Sequence, residues 1–164
     1  MMKILVIEDN AQHLADAKAF FSAHPEVQVV YARTYVEAGR YVDFWAGEAE
    51  QAGKVDGIIS DIYFPLLRNN PTWAQEEPIG VAVMVLCREC GIPCVLNTAG
   101  YHHGSRYEWI TQLVRTLRPR APEIVDASSD YFAEAGKKNW EQAFSQLQEV
   151  IAGTHGQAKP GEEL

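Results

Sequence analysis

The sequence predicts an α/β domain in which helices cover both faces of a five-stranded parallel sheet. Five apolar runs rich in β-branched residues alternate with segments of helical periodicity, and a strand buried on both faces reads as such a continuous run. For a doubly wound sheet of five strands we expect the common order 2-1-3-4-5. The runs are residues 2–7, 27–32, 55–60, 92–97 and 124–125.

Helix start and stop signals stand between the first three runs. Asn10 is a preferred capping residue before a helix, and Pro25 prevents that helix from continuing. Thr34 and Glu37 have the spacing of a capping box, so a second helix is expected from there to about Ala52.

The second half of the chain continues the alternation of strands and helices. Residues 63–78 contain several prolines and turn formers, so we expect a loop without regular secondary structure there. Helical periodicity predicts helices over 79–90, over about 105–117, and over a last segment that Gly153 ends.

Length and charge limit the classes of function. With 164 residues, the chain is expected to form one domain over 1–153, followed by a disordered polar tail over 154–164. Its formal net charge of -8 argues against direct binding of nucleic acid. The longest apolar run, Ile79–Cys87, is too short to span a membrane. Three cysteines clustered within 87–94 argue against a secreted disulfide scaffold, so we expect a cytoplasmic protein.

Acidic and hydroxyl residues stand at the ends of three of the expected strands. Glu8 and Asp9 follow the first strand, Asp61 follows the third, and Thr98 follows the fourth. Ligands of doubly wound sheets bind beyond the carboxyl ends of the strands, so we expect these groups to converge on one crevice. Clustered carboxylates favour a hard divalent cation, and Mg²⁺ suits oxygen ligands and phosphate. In the alternative interpretation, each acid only caps the helix that follows its strand.

Three short segments at these strand ends resemble the receiver domain of two-component response regulators. They read Ile4-Leu-Val-Ile-Glu-Asp9, Asp61-Ile-Tyr-Phe-Pro65 and Val95-Leu-Asn-Thr-Ala99, in the family's order and on the expected strands. The resemblance covers about residues 2–153. It implies a flavodoxin-like fold and a signalling protein that is not an enzyme, in which an aspartate accepts a phosphoryl group.

The resemblance implies a magnesium site in the crevice. Glu8 and Asp9 match the acidic pair that holds Mg²⁺ in the family. Asp61 matches the phosphoacceptor, which is also a metal ligand. Tyr63 matches the residue whose backbone carbonyl binds the metal.

The resemblance also implies how a signal is received and passed on. Asp61 would take a phosphoryl group from a sensor histidine kinase or a phosphotransfer protein, and the small Ala99 would give that group access. Thr98 matches the hydroxyl that moves to the phosphoryl group and switches the domain. We therefore expect a stand-alone receiver that signals to a downstream protein. The partner face would be formed by helix 4 (about 105–117), strand 5 (124–125) and helix 5, which is the last helix.

One departure from the family concerns the end of the fifth strand. Receiver domains have a lysine there that pairs with the phosphoryl group, whereas this chain has Asp126 or Ala127. Lys137 and Lys138 follow about ten residues later. One interpretation is that they reach the site from a loop, and the one that we favour is a solvated pair. A charge-assisted contact of this type is worth about 1.5–3 kcal/mol, so its loss predicts weak switching on phosphorylation.

A second departure is the long segment after Asp61. The glycine of helix 3 comes only at Gly80, so residues 66–78, which include Trp73, form an insertion beside the expected site. Two interpretations stay open for this insertion: a lid or partner surface, and a tolerated surface loop.

Two other functions stay open as alternatives. A pseudo-receiver would use the same fold as a binding or scaffold module that is not phosphorylated. A small Mg²⁺-dependent hydrolase of the phosphatase type also places an aspartate nucleophile at a strand end, but Tyr63 stands where its second catalytic aspartate is needed. The clustered cysteines are expected to be buried thiols rather than a metal or redox site.

Overall fold

The computed structural model describes residues 1–42, 54–68, 74–99, 109–110, 112–113, 124–126 and 136–155, with the backbone alone described for 124–126 and 154–155. The strands in this part of the chain are β1 (Met2–Ile7), β2 (Val27–Ala32), β3 (Gly57–Ser60), β4 (Phe64–Pro65), β5 (Glu76–Glu77), β6 (Cys94–Thr98) and β7 (Ile124–Asp126). The helices are α1 (Ala11–Ser22), α2 (Tyr35–Ala38), α3 (Ile79–Glu89) and α4 (Trp140–His155). Residues 109–110 and 112–113 are also helical.

Five of these strands form one parallel sheet in the order β2-β1-β3-β6-β7. Strand β1 lies between β2 and β3, because Ile4 pairs with Val29 of β2 on one side and with Gly57 of β3 on the other. All five carboxyl ends therefore meet at one edge, where doubly wound sheets bind ligands. The predicted fold class and strand order are confirmed.

Helices pack on both faces of the sheet. One face, which we call the α1/α4 face, is covered by α1 and α4, and the other is covered by α2 and α3. Successive strand residues point to opposite faces. The side chains buried on the α1/α4 face are Ile4, Val6, Ala17, Phe21, Val27, Ile59, Val95, Trp140, Ala143, Phe144 and Leu147.

The predicted caps begin the first two helices. The Asn10 side chain accepts hydrogen bonds from the backbone N–H groups of Gln12 and His13, at 2.9 and 3.2 Å. Thr34 Oγ1 accepts from the Glu37 N–H at 3.1 Å, as a capping box requires. The Glu37 carboxylate reaches back one residue further than in the usual box, because it accepts from the Arg33 N–H at 2.7 Å.

Two predicted helix ends are wrong. Helix α2 does not continue towards Ala52, since Gly39 is its C-cap and turns follow to Val42. Glycine weakens a helix interior and favours such an end. Residues 43–53 lie outside the described part of the chain. Gly153 does not end the last helix, because α4 runs to His155 and accommodates this glycine in its last turns.

The segment predicted to be an irregular loop contains a short antiparallel pair. Phe64 of β4 pairs with Glu77 of β5, and Pro65 pairs with Glu76. Phe64 is fully buried among the side chains under α2 and α3, so it anchors this hairpin to the core. The prediction for 63–78 is therefore wrong at these positions, because burial of one aromatic outweighs the turn-forming composition around it.

None of the described helices is long and apolar enough to cross a membrane. Several other predictions lie outside the described residues. These are the role of Trp73 in the insertion, most of the helix over 105–117, the residue after Asp126 and the tail beyond His155.

Candidate functional site

The sheet register brings Glu8 and Asp61 side by side. Val6 pairs with Ile59, and Ile7 pairs with Ser60. The Asp61 N–H donates to the Ile7 carbonyl at 2.8 Å, which continues the ladder past the end of β3. Both side chains lie one position beyond their strands, at the edge where ligands of this fold bind.

The three acidic side chains predicted to converge do so. One carboxylate oxygen from each of Glu8, Asp9 and Asp61 lies within 4.8 Å of the others. Glu8 is buried, whereas Asp9 and Asp61 are partly exposed. Helix capping alone does not explain this arrangement, because Glu8 and Asp61 both bind one lysine ammonium group as well.

That lysine is Lys138, and the expectation that it is solvated is wrong. Its Nζ lies 2.8 Å from Asp61 Oδ1 and 2.5 Å from Glu8 Oε2, and its side chain is 1% exposed. The strand end itself lacks a lysine as the sequence indicates, since Asp126 is in register with Thr98. A cation nevertheless reaches the acidic cluster from a later part of the chain.

The position of Lys138 follows from the start of α4. A helix that packs on a parallel sheet after a strand begins at the edge where the strands end. Asn139 caps α4 by accepting a hydrogen bond from the Gln142 N–H at 3.0 Å, and Trp140 is buried against the sheet. Lys138 directly precedes this anchored turn. The capping residue and the apolar helix face were the sequence signals that could have placed it.

Burial and charge shift the pKa values in this cluster. Desolvation raises the pKa of Glu8 to about 7, although Lys138 opposes that change. Burial and the neighbouring Asp61 and Glu76 carboxylates raise the pKa of Asp9. Burial alone would lower the pKa of Lys138, but Asp61 and Glu8 together raise it, so its ammonium group stays charged.

The two carboxylate oxygens of Asp61 have different surroundings. Oδ1 accepts hydrogen bonds from Lys138 Nζ and from the Ile62 N–H, at 2.8 and 2.7 Å. Within the described part of the chain, we find no hydrogen bond to Oδ2. The two donors therefore hold Oδ1 in place, and the two oxygens of this carboxylate are not equivalent.

Gly80 supports the backbone on which Asp61 is placed. It is the second residue of α3, and its N–H donates to the Ile62 carbonyl at 3.0 Å. A Cβ atom at this position would lie 2.0 Å from the Asp61 carbonyl oxygen and 2.8 Å from Ile62 Cα. No side chain fits between α3 and the loop after β3, so the helix packs directly on the backbone of Asp61.

The insertion contacts the acidic cluster through Arg68 and acts on it electrostatically through Glu76. Arg68 Nη2 donates to the Asp9 carbonyl oxygen at 3.0 Å, and Arg33 Nη2 donates to the same oxygen at 2.8 Å. On the other side of the insertion, Glu76 raises the pKa of Asp9. The insertion therefore contacts the site, although its central residues lie outside the described part.

The remaining predicted site residues occupy the expected edge of the sheet. Thr98 is the buried last residue of β6, and Ala99 follows it directly. Tyr63 lies two residues after Asp61 and is partly buried. The roles given to the Thr98 hydroxyl, the Ala99 side chain and the Tyr63 carbonyl stay predictions, because no described contact tests them.

The acidic cluster suits a divalent cation. Carboxylate oxygens are the ligands that Mg²⁺ and Mn²⁺ accept, and three of them converge here. Burial, followed by the neighbouring carboxylates, raises the pKa values of Glu8 and Asp9, and a bound cation would oppose that change. Asp9 and Asp61 have the more accessible carboxylates for such an ion.

Comparisons of the sequence give no relatives, since no family model and no curated protein matches it. Comparisons of the fold give receiver domains. One from a signal transduction histidine kinase of Syntrophus aciditrophicus is 16% identical, with a TM-score of 0.58 and 100% of both chains covered. A response regulator receiver domain protein from Clostridium thermocellum is 17% identical, with a TM-score of 0.57, and the match covers 94% of this chain and 98% of the other.

A third similar structure is the Mn²⁺-bound form of response regulator Rcp1. It is 13% identical to this chain, with a TM-score of 0.55, and the match covers 98% of this chain and 100% of the other. Identities this low describe the fold rather than the chemistry. Together with the strand order and the acidic strand ends, these matches show that the chain has the receiver-domain fold of response regulators.

Proposed function

We propose that this protein is a phosphoryl-accepting receiver in which Asp61 takes a phosphoryl group from a histidine kinase or a phosphotransfer protein. The observation that supports it best is the arrangement around Asp61. One of its oxygens is fixed by Lys138 and the Ile62 N–H, whereas the other has no described hydrogen bond and lies beside two further carboxylates.

The proposed reaction moves one phosphoryl group. A lone pair on Asp61 Oδ2 attacks the phosphorus atom of a phosphohistidine, and an O–P bond forms. The P–N bond breaks, and its electron pair returns to the imidazole nitrogen of the donor. Lys138 stays paired with Oδ1 and holds the carboxylate in the orientation for attack.

Mg²⁺ is the metal that we propose for the acidic cluster. Glu8, Asp9 and Asp61 would hold it through carboxylate oxygens, and Tyr63 through its backbone carbonyl. When bound, the ion supplies positive charge against the phosphoryl oxygens and the clustered acids. Few protein ligands and several waters are typical of Mg²⁺, so we expect modest affinity.

The signal would leave the site through Thr98 and Lys138. A phosphoryl group adds charge and three acceptor oxygens to Asp61, and these compete for the Lys138 ammonium group. The expectation of weak switching rested on the lysine that is missing from the end of the fifth strand, but Lys138 supplies a cation at Asp61 from another part of the chain. Since Lys138 directly precedes α4, we instead expect phosphorylation to change the start of α4 and the partner face beside it.

The test is phosphorylation by a small donor. The protein is incubated with Mg²⁺ and acetyl phosphate, and intact-mass measurement should show the addition of one phosphoryl group. Asp61→Asn should abolish it. Asp56→Asn is the matched control, because Asp56 lies before the opposite end of β3, where its carboxylate accepts from the Lys3 N–H at 2.7 Å. A phosphorylated Asp61→Asn protein would refute the proposal.

The pseudo-receiver is the second candidate, and one observation favours it. Lys138 contacts Glu8 at 2.5 Å as well as Asp61, so the ammonium group already bridges two of the three acids. Such a closed ion-pair network is stable without a phosphoryl group or a metal. A wild-type protein that neither takes up phosphate nor responds to Mg²⁺ would support this candidate.

A further inference from the structure

Asn97 is a buried amide for which the described part of the chain provides no hydrogen-bond partner. It lies in β6, it is 0% exposed, and both its Nδ2 and its Oδ1 are unpaired. The flanking strand residues Val95 and Leu96 are apolar and fully buried. An aliphatic side chain would fit such a position without the cost of an unpaired amide.

The register places this amide next to the proposed phosphoacceptor. Ile59 pairs with Val95 and Ser60 with Leu96, so Asp61 and Asn97 occupy the next positions on neighbouring strands. Ile59 and Val95 both point to the α1/α4 face, and by the two-residue period Asp61 and Asn97 do so too. Adjacent strands are about 4.8 Å apart, so the two side chains are direct neighbours.

A buried amide without partners destabilises the fold, and such groups need an explanation in native structures. The unmodified Asp61 does not supply one, since Asn97 makes no hydrogen bond to it. A phosphoryl group on Asp61 would add acceptor oxygens beside the amide. A functional role is one of the recognised explanations of a buried polar group without a partner.

We propose that Asn97 is a phosphoryl-binding residue, whose Nδ2 donates a hydrogen bond to the aspartyl phosphate formed at Asp61. This inference rests on the proposed function and adds a residue to it. The donor is neutral and already buried, so it stabilises the acyl phosphate without drawing the Lys138 ammonium group away from the phosphoryl oxygens. The unpaired amide lowers the stability of the resting protein, whereas its hydrogen bond to the phosphoryl group stabilises the phosphorylated protein.

A matched pair of variants tests both effects, on the stability of the resting protein and on the extent of phosphorylation. The valine and threonine side chains that replace Asn97 in the variants Asn97→Val and Asn97→Thr have similar shapes. Threonine has a hydroxyl group where valine has a methyl group. Asn97→Val removes the unpaired amide, so the full-length variant should unfold at a higher temperature than the wild type. At equal Mg²⁺ and acetyl phosphate, its ratio of phosphorylated to unphosphorylated protein should fall roughly tenfold, because one hydrogen bond to a charged group is lost. Asn97→Thr keeps a donor and should recover part of that ratio.

The outcomes separate the inference from the function on which it rests. An Asn97→Val protein that is phosphorylated as fully as the wild type overturns the role of Asn97 and leaves the proposed function intact. An Asn97→Val protein that melts lower, with normal phosphorylation, shows that the amide binds a structural water instead. A wild type that takes up no phosphate refutes the proposed function and this inference together.

Discussion

The Lys138 ammonium group lies 2.8 Å from the carboxylate of Asp61, although the two residues are far apart in the sequence and belong to different elements. The lysine reaches the site from the turn before α4, whereas the fifth strand of the sheet, β7, ends in Asp126. The charge that the site needs is therefore supplied by the start of a helix. Because Lys138 lies two residues before the first residue of α4, a change in the position of its ammonium group is expected to affect the start of that helix.

Replacing Lys138 should destabilise the protein strongly. Lys138→Met keeps the length of the side chain but leaves Glu8 and Asp61 without their cation. Breaking a buried ion pair on one side costs about 3–5 kcal/mol, so we expect a decrease of about 3 kcal/mol in the free energy of unfolding, measured by urea denaturation. Lys137→Met, at the exposed neighbouring position, should change it by less than about 0.5 kcal/mol. Equal effects of the two variants would contradict the role of Lys138.

Gly80→Ala should disrupt the loop that holds Asp61. The added Cβ would lie 2.0 Å from the Asp61 carbonyl oxygen, and backbone must move to relieve this contact. We expect a loss of about 3 kcal/mol in the free energy of unfolding. Gly153→Ala is the matched control in α4, because a Cβ there meets nothing within 4 Å. It should stabilise the helix by up to about 1 kcal/mol, so the two substitutions differ in sign. Two stabilising results would show that α3 does not pack closely on this loop.

Glu8 should make the protein less stable as the pH rises towards neutrality. Its pKa is raised from 4.5 to about 7 by burial, so between these values the folded state keeps a proton that the unfolded state has lost. The free energy of unfolding should therefore fall as the pH increases from about 4.5 to about 7, by about 3 kcal/mol from this group.

Comparison with Glu8→Gln in metal-free buffer isolates this effect. The groups that face Glu8 are Asp61, Lys138 and the Asn10 N–H, and the pKa of nearby His13 is lowered by burial and by Lys138. These groups are present in both proteins, so their titration largely cancels in the difference between the two curves. Parallel curves from pH 4.5 to 7 would mean that Glu8 is ionised in the folded protein at acidic pH.

The sequence predicted the sheet and the acidic strand ends because both depend on short-range patterns. The strand runs, the Asn10 cap and the position of Asp61 follow from residue types within a few positions of each other. The location of Lys138 depends instead on where α4 begins and which edge of the sheet it meets. The sequence therefore singled out Lys138 but favoured a solvated position for it.

Asn97 and Gly80 illustrate two further limits of sequence reasoning. Asn97 stands inside a segment that otherwise matches the receiver pattern, and neither its burial nor its missing partner can be read from neighbouring residues. Gly80 was recognised as the glycine of helix 3, but the clash that excludes a side chain involves the backbone of Asp61. Both properties arise from contacts across the fold.

Magnesium should bind more tightly once the lysine is removed. Lys138 and a divalent cation are attracted to the same carboxylates, so the ammonium group repels the ion and occupies Glu8 and Asp61 in its absence. We expect weak binding of Mg²⁺ to the wild type, seen in titrations as amide shifts at residues 8, 9 and 61.

In Lys138→Met the Mg²⁺ affinity should rise by roughly tenfold, which is about 1.4 kcal/mol and a small part of the Coulomb energy between charges this close. Asp9→Asn in the Lys138→Met protein should lower the Mg²⁺ affinity again, because it removes one of the three carboxylates of the cluster. Lys138 does not contact this carboxylate in the wild type, so the effect of Asp9→Asn is separate from that of Lys138→Met. The measurement requires that Lys138→Met is folded, which circular dichroism at the titration temperature establishes. Unchanged affinity in folded Lys138→Met would show that the ion and the lysine occupy separate places, and loss of binding would show that the lysine organises the metal site.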